Sequence, residues 1–245
     1  MKTFMFLILL MLISIPAYAK DKTITICSYE WPPHHGKTLK DGGYTADIIK
    51  EIFEPQGYKI NKMFLSWKRA QQFAKEGTKC DAITEIYFNE ERLNHYWFGA
   101  PYSVHEVYLI GLKSHHIKEY NSLDELKEYI IGYNSGGSLS KEFDTADYLT
   151  KRALRGYEVG IKLVLNKRID FFVAAKSVAM YEASKLGAFN KIHTIGKVMQ
   201  RQYVHMAFSK KNKENLIRMQ DYNQGLFSLL KSGKYAEIMK KHAIN

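Results

Sequence analysis

Thr23-Ile24-Thr25-Ile26-Cys27-Ser28 runs directly into Tyr29-Glu30-Trp31-Pro32-Pro33. The first six residues are β-branched or small, the composition of a short buried strand. Two prolines then forbid further pairing, so the chain leaves the sheet at Tyr29–Pro33. Gly42-Gly43 marks a turn, and Ile48, Ile49, Ile52 and Phe53 fall at helical spacing. Gly57 stops that helix and Tyr58-Lys59-Ile60 opens another strand. Trp67 to Ala74 reads as a second helix with Gly77 as its stop, and Asp81-Ala82-Ile83-Thr84 as a third strand. Strand, helix, strand, helix, strand is the order of an α/β sheet.

The second half repeats the theme in different words. Val104 to Leu112 reads as a long strand, Ser122 as the N-cap of a helix with Glu125 in its first turn, and Tyr129 to Tyr133 as a strand. Ser135-Gly136-Gly137-Ser138 leads into a further helix, with Ser140 as another possible cap. Val159–Leu165 is read as helix, Ile169–Val173 as strand and Val178–Lys185 as helix. Tyr203–Phe208 is read as strand, and two closing helices, Lys213–Lys231 and Tyr235–His242, are split at Ser232-Gly233.

The chain has 245 residues, 46% hydrophobic and 25% charged, with 5 prolines and 16 glycines. That excludes collagen, low-complexity disorder and a small disulfide scaffold. Met1-Lys2-Thr3, the apolar run Phe4–Pro16 and Ala17-Tyr18-Ala19 form the three regions of a secretory signal. The run is shorter than the ~20 residues that a membrane span needs. Cleavage after Ala19 removes 19 of the 245 residues and one lysine from a chain of formal charge +11, leaving 226 residues and +10. Cys27 and Cys80 remain in an exported protein, where disulfides persist. Laying their two strands side by side offsets them by about five residues, or ~16 Å. A bridge tolerates less than ~7 Å between Cα atoms, so two buried free thiols are expected.

The order of these segments resembles the periplasmic solute-binding proteins that include the polar amino-acid binders, the bacterial extracellular solute-binding proteins of family 3. The resemblance rests on Tyr29–Pro33, on Gly43-Tyr44-Thr45-Ala46-Asp47-Ile48-Ile49, and on Trp67 followed by Gly77 and Asp81-Ala82-Ile83. It continues through Glu90-Glu91-Arg92, Phe98-Gly99-Ala100-Pro101-Tyr102 and the closing Leu226–Tyr235 stretch. It implies an α/β, two-lobed type 2 periplasmic-binding fold, with the lobes joined by two crossing hinge strands and the ligand in the cleft. The expected organisation is a signal over residues 1–19, a first lobe over 20–106 completed by 205–245, and a second lobe over 107–204. The hinge is expected at Tyr102–Val107 and Arg201–Met206.

The same resemblance places Arg92 on a ligand carboxylate, a role suited to a planar guanidinium that grips two oxygens at once. Gly136, Gly137 and Ser138 would cradle the same anion with backbone N–H groups at a helix start. Trp31 and Trp67 are candidate aromatic walls, with Tyr29, Tyr87 and His34 beside them. The family's amino-acid binders place an acid for the α-ammonium after a second-lobe strand. Here Ala175 stands at that position, followed by Lys176. Glu85 is then either the replacement countercharge, or the ligand carries no ammonium. His34-His35 and His115-His116 read as solvated loops, and the lysine runs as solvated charge without a nucleic-acid motif.

The implied function is capture of a small carboxylate-bearing solute in the periplasm for a membrane transporter, by a monomer without cofactor or catalysis. A free-standing ligand sensor and a cyclohexadienyl dehydratase-like enzyme are the alternatives.

Overall fold

A computed structural model describes residues 22–135 and 139–242. The signal segment and Gly136, Gly137 and Ser138 lie outside the described residues. Nine strands share one sheet: β1 (Lys22–Ser28), β2 (Tyr58–Phe64), β3 (Ala82–Tyr87), β4 (Tyr96–Phe98), β5 (Ser103–Leu112), β6 (Ile130–Asn134), β7 (Thr150–Leu154), β8 (Phe171–Ala175) and β9 (Ile192–Ser209). Among the described residues seven helices cover it: α1 (Tyr44–Phe53), α2 (Trp67–Glu76), α3 (Lys141–Thr145), α4 (Tyr157–Leu165), α5 (Lys176–Lys185), α6 (Glu214–Lys231) and α7 (Lys234–Lys241).

The strand order is β2-β1-β3-β9-β5-β8-β6-β7, with β4 pairing to β9 off this path. β1 pairs in parallel with β2 and β3, and β6 in parallel with β7 and β8. The two parallel triplets are joined by antiparallel pairing of β9 with β5. Two α/β lobes thus hang on two crossing strands, the architecture that the sequence implied. The segments expected to form the hinge face each other, Ser103 opposite Val204 and Glu106 opposite Arg201.

Each lobe has its own apolar core. In the first, α1 turns Ile48, Ile49, Ile52 and Phe53 onto Ile24, Ile26, Phe208 and Tyr222. The second lobe packs Leu109, Ile131, Phe143, Phe171 and Val173 on one side of the sheet, and Ile110, Ile161, Val164 and Phe172 together in another cluster. Burying each such side chain stabilises the fold by about 1.5–3 kcal/mol. Gly43, at φ 89°, is needed where α1 meets the Trp31–His35 loop: any Cβ there would run into the His34 carbonyl.

Several expectations are corrected. The Ser122 segment forms only a short 3₁₀ turn, Leu123–Leu126, and the Ser122 side chain makes no cap bond. The helix after the glycine turn is five residues long, and Ser140 caps it through Phe143 N–H at 3.1 Å. Strand β7 was not read at all, and β9 begins eleven residues before the predicted start at Tyr203. His34 and His35 are buried, at 2% and 0% exposure, because the loop folds back through Trp31–His35 backbone bonds and stacks His35 on Phe64.

The largest correction concerns the cysteines. Cys27 and Cys80 are joined in a disulfide, with Cα atoms 5.6 Å apart. Ile26 faces Ala82 and Cys27 faces Ile83, so Cys80 stands three positions before the partner of Cys27 rather than five. Three extended residues would still span ~10 Å. The chain therefore crosses toward Cys27 before β3 begins, pinned by Asp81 N–H on the Thr25 carbonyl at 2.8 Å. A bridge closing a 53-residue separation stabilises by about 4 kcal/mol on the chain-entropy scale. Alkylation in denaturant without reductant should leave both cysteines unlabelled, and Cys27→Ala/Cys80→Ala should unfold with about that much less stability. Labelling of both thiols in the unreduced protein would contradict the pairing.

Candidate functional site

A cavity of about 700 Å³ opens where the two parallel triplets face each other. The loop after β1 supplies Tyr29, Glu30 and Trp31, the start of α2 supplies Trp67 and Lys68, and β3 supplies Glu85 and Tyr87. Arg92 follows on the turn after β3. From the other lobe come Asn134 and Ser135 at the end of β6, and Arg155, Gly156 and Tyr157 at the start of α4. Six of the expected residues therefore meet in one cavity: Arg92, Trp31, Glu85, Trp67, Tyr29 and Tyr87. Gly136, Gly137 and Ser138 lie outside the described residues.

Arg92 is held in place. One terminal nitrogen, Nη1, donates to the Tyr87 carbonyl at 2.6 Å and the other, Nη2, to Gln71 Oε1 at 3.2 Å. Its guanidinium carbon sits 5.6 Å from the Trp67 ring centroid. Burial pulls its pKa down, yet a guanidinium stays charged at any working pH. Two of five N–H groups are occupied, so the fork is oriented and still has donors.

Aromatic rings form the walls. Tyr29 lies 4.6 Å from Trp67 and 5.7 Å from Trp31, and Trp31 stacks at 6.4 Å on Tyr157. Trp31 is 3% exposed and packs with Ala175 and Val178, so it is both a wall and a contact between the lobes. The small Ala175 is thus buried against Trp31, where the family's acid would stand. Lys176, next along, is exposed.

Glu85 sits on the cavity floor at 1% exposure. A bulge between Ile83 and Ile86 breaks the β3 pairing, and Glu85 takes φ 56° there. Its Oε1 accepts the Thr45 hydroxyl at 2.7 Å, while its Oε2 is buried without a partner. Burial pushes its pKa up to about 8, the Thr45 hydrogen bond opposing only in part.

Beneath the floor lies a second buried group, which joins His34, a residue the sequence sets beside the aromatic walls, to His105, which sequence reasoning missed. His34 and His105 stack with centroids 4.0 Å apart. His105 is bracketed by Tyr87 Oη at 3.1 Å and Tyr44 Oη at 3.3 Å. His34 Nε2 shares a 2.9 Å hydrogen bond with Ser177 Oγ of α5, a polar link across the lobes. Burial holds His105 down to about 3 and His35 to about 4, and lowers His34 well below its ordinary value, with His105 as a second cause. The clue to His34 was its place immediately after the aromatic-proline turn. Tyr157 and Arg155 went unread because β7, which delivers them, was unread.

These groups set a pH profile for stability. Glu85 is protonated in the folded state up to about 8 but titrates near 4.5 when unfolded. Unfolding between those values releases a proton, so stability falls as pH rises through that window. The three histidines are neutral when folded and take up protons on unfolding below about 6.5, so stability also falls as pH drops from there. With three groups on the acid side against one, the maximum is expected near pH ~6.5. From pH ~6.5 to ~8 the Glu85 contribution falls by about 1.6 kcal/mol at ~1.4 kcal/mol per pH unit, while the histidines, still titrating in the unfolded chain, return about 1.2 kcal/mol, so denaturant unfolding should show a net loss of about 0.5 kcal/mol. Glu85→Gln should remove that alkaline limb and leave the acid limb in place. An unchanged alkaline limb in the variant would contradict a buried neutral Glu85.

The profile of the bacterial extracellular solute-binding proteins, family 3, matches residues 24–244. Comparison with curated protein sequences finds no match. Among solved structures, a histidine kinase sensor domain with similarity to periplasmic binding proteins superposes with a TM-score of 0.79 at 17% identity, covering 89% of this chain and 95% of that one. A variant of ArgBP from T. maritima gives 0.76 at 17% identity, with coverage of 91% and 96%. An ABC uptake transporter substrate-binding protein from Streptococcus pneumoniae with bound histidine gives 0.75 at 22% identity, with coverage of 89% and 91%. At these identities the likeness speaks for fold, and the profile, running over nearly the whole described chain, speaks for kinship. The chain belongs to the bacterial extracellular solute-binding proteins of family 3.

Proposed function

We propose that this chain is exported, loses residues 1–19, and captures a small carboxylate-bearing solute, an amino acid or a relative of one, in the periplasm. It presents that solute to the permease of an ABC-type membrane transporter. The supporting observation is Arg92: a half-buried guanidinium, oriented by Tyr87 and Gln71 and lining an aromatic-walled cavity between two lobes. A fork of parallel N–H donors matches the two oxygens of a carboxylate. In this reading the first lobe spans 20–106 and 205–245, and the second 107–204. Rotation is absorbed where Tyr102–Val107 meets Arg201–Met206. The protein acts as a monomeric binder, with no chemical step. The sensor-domain neighbour favours a second reading, in which the closed form signals to a partner instead of unloading at a permease.

A thermal-shift screen of amino acids, oxo acids, dicarboxylates and small peptides identifies the solute, since ligand at about 100 times its Kd adds about 2.7 kcal/mol. Arg92→Ala should then weaken binding by about 2–5 kcal/mol, because the carboxylate stays buried with partners missing. That is roughly thirty- to several-thousand-fold. Arg92→Lys should recover little, having one point charge in place of a fork. Calorimetric affinities within about threefold of the parent for both variants would remove Arg92 from the site.

A further inference from the structure

The cavity floor holds a single titratable acid, and its surroundings are unusual for a carboxylate. Thr45 of α1 donates to its carboxyl group. The groups that feel its charge are tyrosines: Tyr44 on α1, Tyr29 in the loop after β1, Tyr87 on β3, Tyr102 at the entry to β5 and Tyr157 on α4. Tyrosines and a threonine face Glu85; no lysine, arginine or histidine acts on its carboxyl among the described residues. Most of those hydroxyls are already committed elsewhere. Tyr29 Oη donates to the Glu85 backbone carbonyl, Tyr44 and Tyr87 meet His105, and Tyr102 meets Thr84. Thr45 is thus the one side-chain hydrogen bond on the carboxyl group, and Oε2 is buried and free.

A buried carboxylate without a cation is costly, and such a group keeps its proton instead. The rest of the cavity leans the same way. Arg92, Lys68 and Arg155 are its cations, and exposed Glu30, whose oxygens accept Lys37 N–H, is the one carboxylate besides Glu85. The second-lobe position that could answer an ammonium is Ala175, sealed under Trp31. We propose that Glu85 meets the ligand as a neutral carboxylic acid, its buried Oε2 donating a hydrogen bond to an oxygen on an anion that carries no amine. This rests on the reading that Arg92 holds the ligand's carboxylate. The ligand class is then a carboxylate with a second oxygen acceptor, such as a 2-oxo acid, and a flat apolar body suited to the rings of Trp31, Trp67 and Tyr157.

The test compares 2-oxo acids with amino acids of the same skeleton: phenylpyruvate with phenylalanine, 4-methyl-2-oxopentanoate with leucine, and 2-oxoglutarate with glutamate. Calorimetry is run at pH 7 and pH 9 on the whole mature protein. At least one oxo acid should bind about tenfold or more tightly than its amino partner at pH 7. Its affinity should fall about tenfold by pH 9, as Glu85 in the free protein loses its proton. Glu85→Gln keeps an N–H donor but cannot ionise, so whatever its affinity, it should be the same at both pH values. The proposal is overturned if no oxo acid outbinds its amino partner, whether the amino acid wins or both fail. It is also overturned if tight oxo-acid binding is flat with pH in the parent. An amino acid that wins and is lost in Arg92→Ala leaves the carboxylate reading intact while this one falls. A ligand held equally by Arg92→Ala removes the reading beneath both.

Discussion

The antiparallel pairing of β5 with β9 is the constraint on which everything else hangs. These strands carry the chain out of one parallel triplet and back, and they keep both triplets in a single sheet. Because they are the joint, the ends of β1, β3, β6 and β8 are brought to face one cavity. Residues far apart in sequence, Trp31 and Tyr157 or His34 and Ser177, thereby become neighbours. The joint also contributes to the site. His105 lies on β5, opposite Gln202 of β9, and is bonded to Tyr87 of the cavity wall. Any rotation of the joint would move the polar floor with it, so ligand contacts and lobe position are coupled through shared atoms.

The floor is buried, and burial decides its chemistry. Burial acts in opposite directions on its two kinds of titratable group: it keeps Glu85 protonated and the histidines deprotonated. Both end up neutral, so the floor has hydrogen-bonding capacity and little charge. Net charge is confined to the cavity's upper walls, where Arg92 is oriented against Trp67 and Arg155 and Lys68 stand exposed. A ligand entering this cleft meets cations above, neutral donors and acceptors below, and aromatic faces between. Trp31 shows how tightly packing and function are tied here. It is a wall of the cavity, it seals Ala175, and it touches the second lobe, so a larger residue at 175 would displace all three contacts at once.

Much of this was legible in the chain because strand and helix periods, glycine stops and the proline turn act locally. The first half, from Thr23 to Thr84, was read nearly element by element, and Arg92, Trp31, Trp67, Glu85, Tyr29 and Tyr87 were brought to one place. What was missed depends on pairing between distant segments. The start of β9 contains Gly196, Lys197, Gln200, Arg201 and Gln202, a polar run whose extended form comes from the β5 ladder rather than from its own composition. At the far edge of the sheet, β7 pairs only with β6 and bears Lys151 and Arg152, and with it Tyr157 was lost. The disulfide was misjudged because the register and the crossing of Lys79-Cys80 toward β1 are tertiary facts. His34 and His35 looked like a wet loop because nothing local announces Phe64 and His105 above them.

The central claim is that one anion is held between Arg92 on the wall and Glu85 on the floor, with both lobes closed on it. A crystal structure of the protein with its screened solute bound tests this most directly. The expected density shows a carboxylate bridging two guanidinium nitrogens of Arg92 at ~2.7–2.9 Å, a second ligand oxygen on Glu85 Oε2, and the ligand body against Trp31 and Tyr157. A ligand whose carboxylate lies away from Arg92, or one that places an ammonium on Glu85, would contradict it.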